Sequence, residues 1–325
     1  MSSTSFKPAW WLSNPHCQTL WPFLLRARLN KSHIRRERLE LPDGDFLDIE
    51  WAGKGNGPIV FIFHGLEGSS QSHYAKGLLR CITREGWRGA FVHFRGCSGE
   101  HNRLPRSYHS GDTGDINYLI QTIHQREPYT SLAAIGISLG SNALLKWLGE
   151  TGSDNPLMAC IAISVPFDLY ESVKKMEKGF SRLYQWHLVK QLRNRLSKKF
   201  VLTPPAMSTN HLPSIKTIFD LDDSITAPLH GFKDAKEYYA LSSCKPFLKN
   251  IQIPTLIIHA KDDPFVPKHV IPSLKELSRF IQLELSEKGG HVGFVSGTFL
   301  GYATYWLEKR IPDFLKENFK LSLNS

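Results

Sequence analysis

The pentapeptide Gly136-Ile137-Ser138-Leu139-Gly140 lies between an apolar run typical of a buried strand, residues 132–135, and a helical stretch, residues 142–147. A serine on such a sharp turn from strand to helix projects its hydroxyl above the sheet. Glycine is needed on both sides because side chains there would collide within the turn. The pattern predicts a nucleophilic serine at position 138, and a turn with a purely structural role is the alternative.

Short apolar runs alternate with helical patterns along the chain, which predicts an α/β fold with a mainly parallel sheet flanked by helices. Residues 59–63 are apolar without interruption, as expected for a strand buried on both faces. Pro42-Asp43-Gly44 is a hairpin signal between the first two strands. We predict strands at 38–41, 46–51, 59–63, 89–94, 131–137, 157–164, 255–259 and 281–285, and helices at 72–85, 112–126, 139–150, 272–279 and 299–309.

The segment from about 167 to 248 breaks this alternation because it contains no good strand candidate. It has helical stretches such as 180–195, and Pro204-Pro205 and Pro213 form joints between them. We interpret the segment as a helical cap inserted between two core strands. The chain as a whole, 1–325, is then predicted to form a single domain.

Basic residues dominate the cap between positions 174 and 199, and apolar side chains are interleaved with them, including Leu183, Trp186 and Leu188. The favoured interpretation is a solvated helix that packs an apolar stripe, with Trp186 in it, on the core. Weak peripheral contact of this stretch with anionic lipid is the alternative.

Length, charge and cysteine content argue against a membrane-spanning, secreted, disulfide-rich or zinc-binding protein. The chain has 325 residues, a net charge of +10 and five cysteines. No apolar run approaches the roughly 20 residues of a membrane-spanning helix, and Asn14-Pro15-His16 interrupts the apolar N-terminus where a secretory signal would need continuity. Widely spaced cysteines in odd number predict neither a disulfide framework nor a zinc site. We therefore expect a cytoplasmic protein.

No nucleic-acid partner is expected, because no nucleic-acid-binding signature accompanies the positive net charge.

A strand followed by His64-Gly65-Leu66-Glu67-Gly68 predicts the second part of a hydrolytic site. In folds with a serine elbow, the loop after the third strand and the residue after the nucleophile each supply a backbone N–H to an oxyanion hole. We assign these two donors to Leu66 and Leu139. His64 is expected to shape the loop through hydrogen bonds, with direct proton transfer as the alternative.

The acid and the base are expected after the last two core strands, in the chain order Ser, Asp, His. Gly289-Gly290-His291 follows the last predicted strand, and Lys261-Asp262-Asp263-Pro264-Phe265 follows the one before it. We choose Asp263 over Asp262 because Pro264 biases the preceding residue toward an extended backbone, although a plain surface turn is the alternative. Together with Ser138 these residues predict a Ser-His-Asp triad that requires no metal or organic cofactor.

The assembled motifs resemble those of the YheT-type hydrolases, a bacterial branch of the AB-hydrolase 4 family of the α/β-hydrolase superfamily. The animal relatives of this branch include lipid hydrolases. The resemblance spans nearly the whole chain, and one departure is Cys17, where the family has an apolar residue. It is carried by Asn14-Pro15-His16, Leu41-Pro42-Asp43-Gly44-Asp45, His64-Gly65-Leu66-Glu67-Gly68, His93-Phe94-Arg95-Gly96-Cys97-Ser98-Gly99-Glu100, Tyr108-His109-Ser110-Gly111, Met176-Glu177-Lys178-Gly179-Phe180-Ser181-Arg182, Lys261-Asp262-Asp263-Pro264-Phe265 and Gly289-Gly290-His291-Val292-Gly293-Phe294.

The resemblance implies an α/β-hydrolase fold and hydrolysis of carboxylic esters with short, medium or lipid-like acyl groups. An acyltransferase or thioesterase with the same triad is an alternative, since acceptor choice depends on the pocket. A non-catalytic binding protein is a second alternative, and the intact triad argues against it. The expected partner is a small-molecule ester or lipid-like substrate, with no obligate protein partner. Cys97 is expected to be a packed side chain instead of a reactive thiol, and His109 is a candidate for lining the pocket.

Overall fold

The computed structural model, which describes residues 2–3, 5–26 and 34–321, is built around a nine-stranded sheet. The strands lie in the order β1-β9-β8-β7-β6-β4-β5-β3-β2, and pairing is parallel from β1 to β5 and antiparallel between β5, β3 and β2. The strands are β1 (Ser2–Ser3), β2 (Arg35–Glu40), β3 (Phe46–Ala52), β4 (Ile59–Phe63), β5 (Arg88–His93), β6 (Leu132–Ile137), β7 (Leu157–Ile163), β8 (Thr255–Ala260) and β9 (Ile281–Ser286), with β10 (Val295–Ser296) and β11 (Thr304–Tyr305) in a separate small sheet.

Helices cover both faces of the sheet, which explains why β4 and β6 are apolar and buried along their whole length. Side chains of α2 and α10 pack on one face, and those of α3 and α4 pack on the other. The helices are α1 (Pro15–Leu25), α2 (Ala75–Arg84), α3 (Thr113–Arg126), α4 (Leu139–Thr151), α5 (Leu169–Met176), α6 (Ser181–Leu202), α7 (Ile218–Leu221), α8 (Ala227–Leu229), α9 (Ala235–Ser242) and α10 (Leu307–Leu321). The mainly parallel sheet flanked by helices that the sequence predicts is therefore confirmed.

Residues 164–254, all of them described, contain the helices α5 to α9 and no strand. These helices enclose an apolar cluster of their own, formed by side chains such as Val189, Leu192, Leu196 and Ile225. A second set of contacts joins them to the core, for example between Phe265 and Tyr184. This layer lies over the strand ends that carry the elbow serine.

Two predicted helices are wrong. In the segment 299–309, Gly301 adopts φ +79° and Thr304–Tyr305 pairs with Val295–Ser296, so that helix α10 begins only at Leu307. In the segment 272–279, a single 3-10 turn forms at Leu274–Glu276. That turn buries none of its residues, and a short helix without a buried face gains too little to extend. Within the described residues, no helix combines the length and the apolar character needed to cross a membrane.

Candidate active site

Ser138 occupies the turn between β6 and α4 with φ 52° and ψ −115°, a conformation that non-glycine residues rarely adopt. Both flanking glycines are required by close packing. A Cβ atom at Gly136 would lie 2.5 Å from the Cα of Ser141, and one at Gly140 would lie 2.4 Å from the carbonyl oxygen of Phe63. The Ser138 N–H also donates to the Ile163 oxygen of β7 at 2.9 Å, so the strained turn is fixed between β4 and β7 and presents the hydroxyl at their carboxyl ends.

His291 connects Ser138 to Asp263 through two hydrogen bonds. The Ser138 hydroxyl lies 2.9 Å from His291 Nε2, where it can donate its proton, and His291 Nδ1–H donates to Asp263 Oδ2 at 2.8 Å. Asp263 and His291 are buried, whereas Ser138 is partly accessible from the cavity above it. The structure therefore brings together the three residues that the sequence singles out, in the geometry of a nucleophile, a base and an orienting acid.

The two neighbouring aspartates have different surroundings. The second oxygen of Asp263 accepts the N–H of Phe265 at 2.8 Å, so both of its oxygens are used. Asp262 points away and accepts the N–H of Gly290 at 3.0 Å, and burial raises the pKa of this carboxyl. Asp262 thus ties the aspartate loop to the histidine loop and does not face solvent.

Helix α1 supports the histidine loop from the N-terminal end of the chain. Thr19 on this helix accepts the backbone N–H of His291 at 2.9 Å. Gly290 and Gly293 pass so close to the helix that Cβ atoms would lie 2.5 Å from the Pro15 oxygen and 2.4 Å from the Gln18 oxygen. The sequence analysis missed Thr19, because only the tertiary fold brings it next to His291.

The loop after β4 passes beside the elbow serine. A Cβ atom at Gly65 would lie 3.2 Å from the Cβ of Ser138. Among the hydrogen bonds of residues 34–321, none uses the N–H of Leu66 or the N–H of Leu139, and Leu139 has no intrahelical partner because it is the first residue of α4. Both residues line the same cavity as Ser138 and His291, so two free N–H donors flank the serine.

His64 holds this loop and is unsuited to proton transfer. Its Nδ1–H donates to the Gly65 oxygen at 2.7 Å, and its Nε2 accepts the N–H of Phe94 at 3.1 Å. Complete burial lowers the pKa of His64 to about 3. The imidazole is therefore neutral with both nitrogens occupied, in agreement with its expected role in shaping the loop.

An ion pair between Glu67 and Arg195 links the same loop to helix α6. Arg195 Nε donates to both oxygens of Glu67, at 2.9 and 3.1 Å, and its guanidinium lies over the ring of Tyr108. The Tyr108 hydroxyl also accepts the N–H of Glu67 at 2.8 Å. Because Glu67 follows Leu66 directly and has φ +53°, these contacts fix the position of the Leu66 N–H. Sequence reasoning assigned no role to Glu67 or Arg195.

A cavity of about 810 Å³ lies between Ser138 and the helices α5 to α9. This volume is within the range of small-molecule sites, about 300–1,000 Å³. Ser138, His291 and His109 contribute polar groups to the wall of this cavity. The remaining wall is mostly apolar and includes Leu169, Val173, Leu188, Leu192, Ile218 and Ile225. The site can therefore hold a molecule with an extended apolar part and a reactive polar end.

Expectations from the sequence about three other side chains, His109, Cys97 and Trp186, can be compared with their surroundings in the structure. His109 lines the cavity, as suggested, and burial lowers the pKa of its imidazole to about 2. Burial raises the pKa of the Cys97 thiol to about 12, which makes it unreactive, as expected for a packed side chain. The expected packing of Trp186 on the core is wrong. This side chain is 60% exposed, because the buried stripe of α6 is formed by Val189 and Leu192 instead.

Comparison with known proteins gives the family to which the sequence is similar. The sequence model of a family described as alpha/beta hydrolase fold matches residues 58–298. YheT of Escherichia coli (strain K12) is 44% identical over 320 residues, which cover 97% of this chain and 94% of YheT. Phospholipase ABHD3 of Homo sapiens is 28% identical over 313 residues, which cover 93% of this chain and 76% of that protein.

The fold also has counterparts among solved structures. The esterase Pf2001 of Pyrococcus furiosus matches it with a TM-score of 0.58 and 16% sequence identity, over 90% of this chain and 97% of that chain. At such low identity the likeness concerns the fold alone, and function has to be argued from the site.

Proposed function

Since the chain belongs to the alpha/beta hydrolase fold family and is a YheT-type member of it, we propose that Ser138, His291 and Asp263 form its catalytic triad. The protein is an ester hydrolase, as the esterase, phospholipase and lipase names of its sequence relatives indicate. The observation that carries the triad assignment is the continuous hydrogen-bonded chain from Ser138 Oγ to Asp263, because Ser138 and His291 in this chain line the cavity.

The reaction proceeds through an acyl-enzyme. Ser138 Oγ attacks the ester carbonyl carbon, and His291 Nε2 takes the hydroxyl proton and returns it to the leaving alcohol. Asp263 keeps Nδ1 protonated and stabilises the imidazolium that forms. The oxyanion is bound by the N–H groups of Leu66 and Leu139, which are free to donate. Water, activated by the same histidine, then releases the acid.

The proposed substrate is an ester whose acyl group is apolar and extended, such as a lipid ester. Support comes from the apolar wall of the cavity and from the phospholipase name of a relative over most of its length. We further propose that residues 167–248 act as a cap, because side chains of α5 and α6 form much of that wall. Burial of each additional CH₂ of the acyl chain contributes about 0.8 kcal/mol of binding at most.

A series of p-nitrophenyl esters, from acetate through octanoate to palmitate, tests this proposal. We expect kcat/KM to rise from acetate to octanoate by at least about tenfold, because the acyl chain fills the apolar cavity. Product analysis in the presence of glycerol and of a thiol should show the free acid as the main product. A chain-length profile that is flat would contradict the cap as acyl site, and predominant transfer to the added acceptor would contradict hydrolysis.

A further inference from the structure

Six large apolar side chains are exposed around the opening of the catalytic cavity. Three belong to the end of helix α1 and three to the start of α6, and none is less than 45% exposed. We call this surface the mouth face, and its members are Phe23, Leu24, Leu25, Phe180, Leu183 and Trp186. Exposed apolar side chains gathered in one place, instead of scattered singly, mark a site of interaction.

The two helices are held side by side, so the mouth face is continuous. The ring of His16 on α1 lies 4.5 Å from that of Phe180, and its Nδ1 lies 3.1 Å from the Tyr184 hydroxyl. Further along, the rings of Phe23 and His187 are 6.1 Å apart. On α6 itself, Leu183 and Trp186 are three positions apart and therefore share a side of the helix.

The mouth face leads directly to the triad. Phe23, Phe180 and Leu183 line the cavity and are exposed at the same time, which places them at its entrance. From the entrance, Tyr184 contacts Phe265, and Phe265 stacks on the imidazole of His291 at 4.1 Å. If the mouth face is docked on another surface, an apolar molecule can thus move from that surface to Ser138 without passing through bulk water.

Positive charge flanks this apolar surface on the side of α5 and α6. Lys175, Lys178, Arg182 and Lys190 are exposed on the same end of the cap, and no ion pair among the described residues includes any of them. The one acidic neighbour in this stretch, Glu177, is paired with Lys174. Apolar side chains flanked by unpaired cations fit the interface of an anionic lipid layer, where the cations meet headgroups and the apolar groups enter the acyl boundary.

We propose that the mouth face docks on anionic lipid surfaces and takes ester substrates from them. This inference rests on the proposed function for the substrate, but the docking itself is independent of catalysis. A second copy of the chain fits the surface less well. A two-fold symmetric contact through this face would bring the four unpaired cations of each copy against those of the other.

The test is binding of the full-length Ser138→Ala protein to vesicles, so that lipid is not consumed. We compare phosphatidylcholine vesicles with and without phosphatidylglycerol in a flotation assay. Trp186→Glu and Leu24→Glu change the mouth face at positions that do not line the cavity. The matched control is Leu202→Glu, which is 67% exposed on the same helix but lies about 24 Å further along its axis.

The parent protein should float with the anionic vesicles, and the two mouth-face substitutions should each weaken binding about tenfold while Leu202→Glu has little effect. Arg182→Gln should weaken binding more than Lys198→Gln, and added salt should weaken it for the parent. Equal binding of all variants to the vesicles would overturn the inference. So would a protein that binds no vesicles but forms a dimer that the mouth-face substitutions dissociate. Vesicle binding by Ser138→Ala, together with a lack of ester hydrolysis by the protein that retains Ser138, would overturn the proposed function alone.

Discussion

Asp262 and Asp263 are adjacent in the chain, but their carboxylates accept hydrogen bonds from different groups and have different roles. Asp263 accepts the Nδ1–H of His291 at 2.8 Å, so it sets the tautomer that leaves Nε2 free for Ser138. Asp262 accepts a backbone N–H from Gly290 and stabilises the loop without touching the imidazole. A difference of one position therefore separates a role in the reaction from a role in local structure.

Replacing Asp263 with Asn should lower kcat by about 10⁴-fold, the loss that the same change causes in chymotrypsin-type proteases, because the imidazole is then held in the wrong tautomer. Asp262→Asn should stay within about tenfold of the parent, since the amide oxygen can still accept the Gly290 N–H. Both are measured as p-nitrophenyl ester hydrolysis by variants whose folding is checked by circular dichroism. The opposite order of the two losses would show that the acid is Asp262.

The sequence predicts the site residues that lie in a recognisable local motif. It does not predict the residues that only the tertiary fold brings to the site. Ser138, Asp263 and His291 each follow a strand and have glycine or proline within two positions, which makes them recognisable. Thr19 contacts His291 across 272 positions, and Arg195 contacts Glu67 across 128. No local pattern in one sequence marks such pairs, because each residue taken alone is typical of an ordinary helix.

Helix α6 connects the cap to the loop that carries the Leu66 N–H. The connection is the Arg195–Glu67 ion pair, which is largely shielded from solvent. Arg195→Ala should lower kcat by roughly 10- to 100-fold with a smaller change in KM, because a displaced N–H weakens the transition state more than the bound ester. The control is Arg193→Ala on the same helix, which removes a contact to the Ile215 oxygen within the cap.

Steady-state kinetics of the two variants with a short soluble ester checks this prediction. A change confined to KM would mean that Arg195 shapes only the pocket. Partial recovery of kcat in Arg195→Lys, which keeps the charge but loses the planar fork, would support positioning of the loop.

The elements that the sequence misassigns share a cause. Residues 299–309 are predicted to be helical, but Gly301 and the pairing of β11 with β10 keep the first half of this segment out of the helix. Trp186 is apolar, yet the side of α6 that faces the cap interior is fixed by Val189, Leu192 and Leu196. Composition gives the type of an element, whereas its ends and orientation depend on neighbours distant in sequence.

The stability of the whole molecule should depend on pH through Asp222, a carboxyl enclosed by the cap helices. Burial raises the pKa of Asp222 to about 6, although the Tyr239 hydroxyl donates to it at 2.7 Å. An unfolded chain has this pKa near 3.9, so the folded state binds more protons between the two values. Stability therefore falls as pH rises from about 4 to above 6, by about 3 kcal/mol at most.

Asp222→Asn removes this ionisation. Its Tm should exceed that of the parent at pH 8 and should gain less, or nothing, at pH 5, where the parent carboxyl is mostly protonated. Asp220→Asn, a change at an exposed position in the same segment, is the control and should give a pH-independent difference. Thermal unfolding at the two pH values measures the difference in Tm between variant and parent. A larger gain in Tm at pH 5 than at pH 8 would contradict a raised pKa of Asp222 in the folded state.

The architecture of the sheet is predictable from sequence because the central strands β4, β6 and β7 are apolar along their length and a helix separates each strand from β4 to β7. That pattern admits few arrangements besides a parallel sheet covered on both faces. The shape of the cavity is not predictable in this way, since it depends on how α5 and α6 lie over the strand ends. The expected cytoplasmic location also stays a prediction.

The identity of the nucleophile is tested most directly by labelling with a fluorophosphonate, read together with ester turnover. We compare Ser138→Ala with Ser172→Ala, which removes another cavity serine whose hydroxyl donates to the Asp168 oxygen. Ser138→Ala alone should lose the label, and its turnover should fall by at least about 10³-fold while the folded state is retained. Labelling and hydrolysis that persist undiminished in Ser138→Ala would contradict the assignment of Ser138 as the nucleophile.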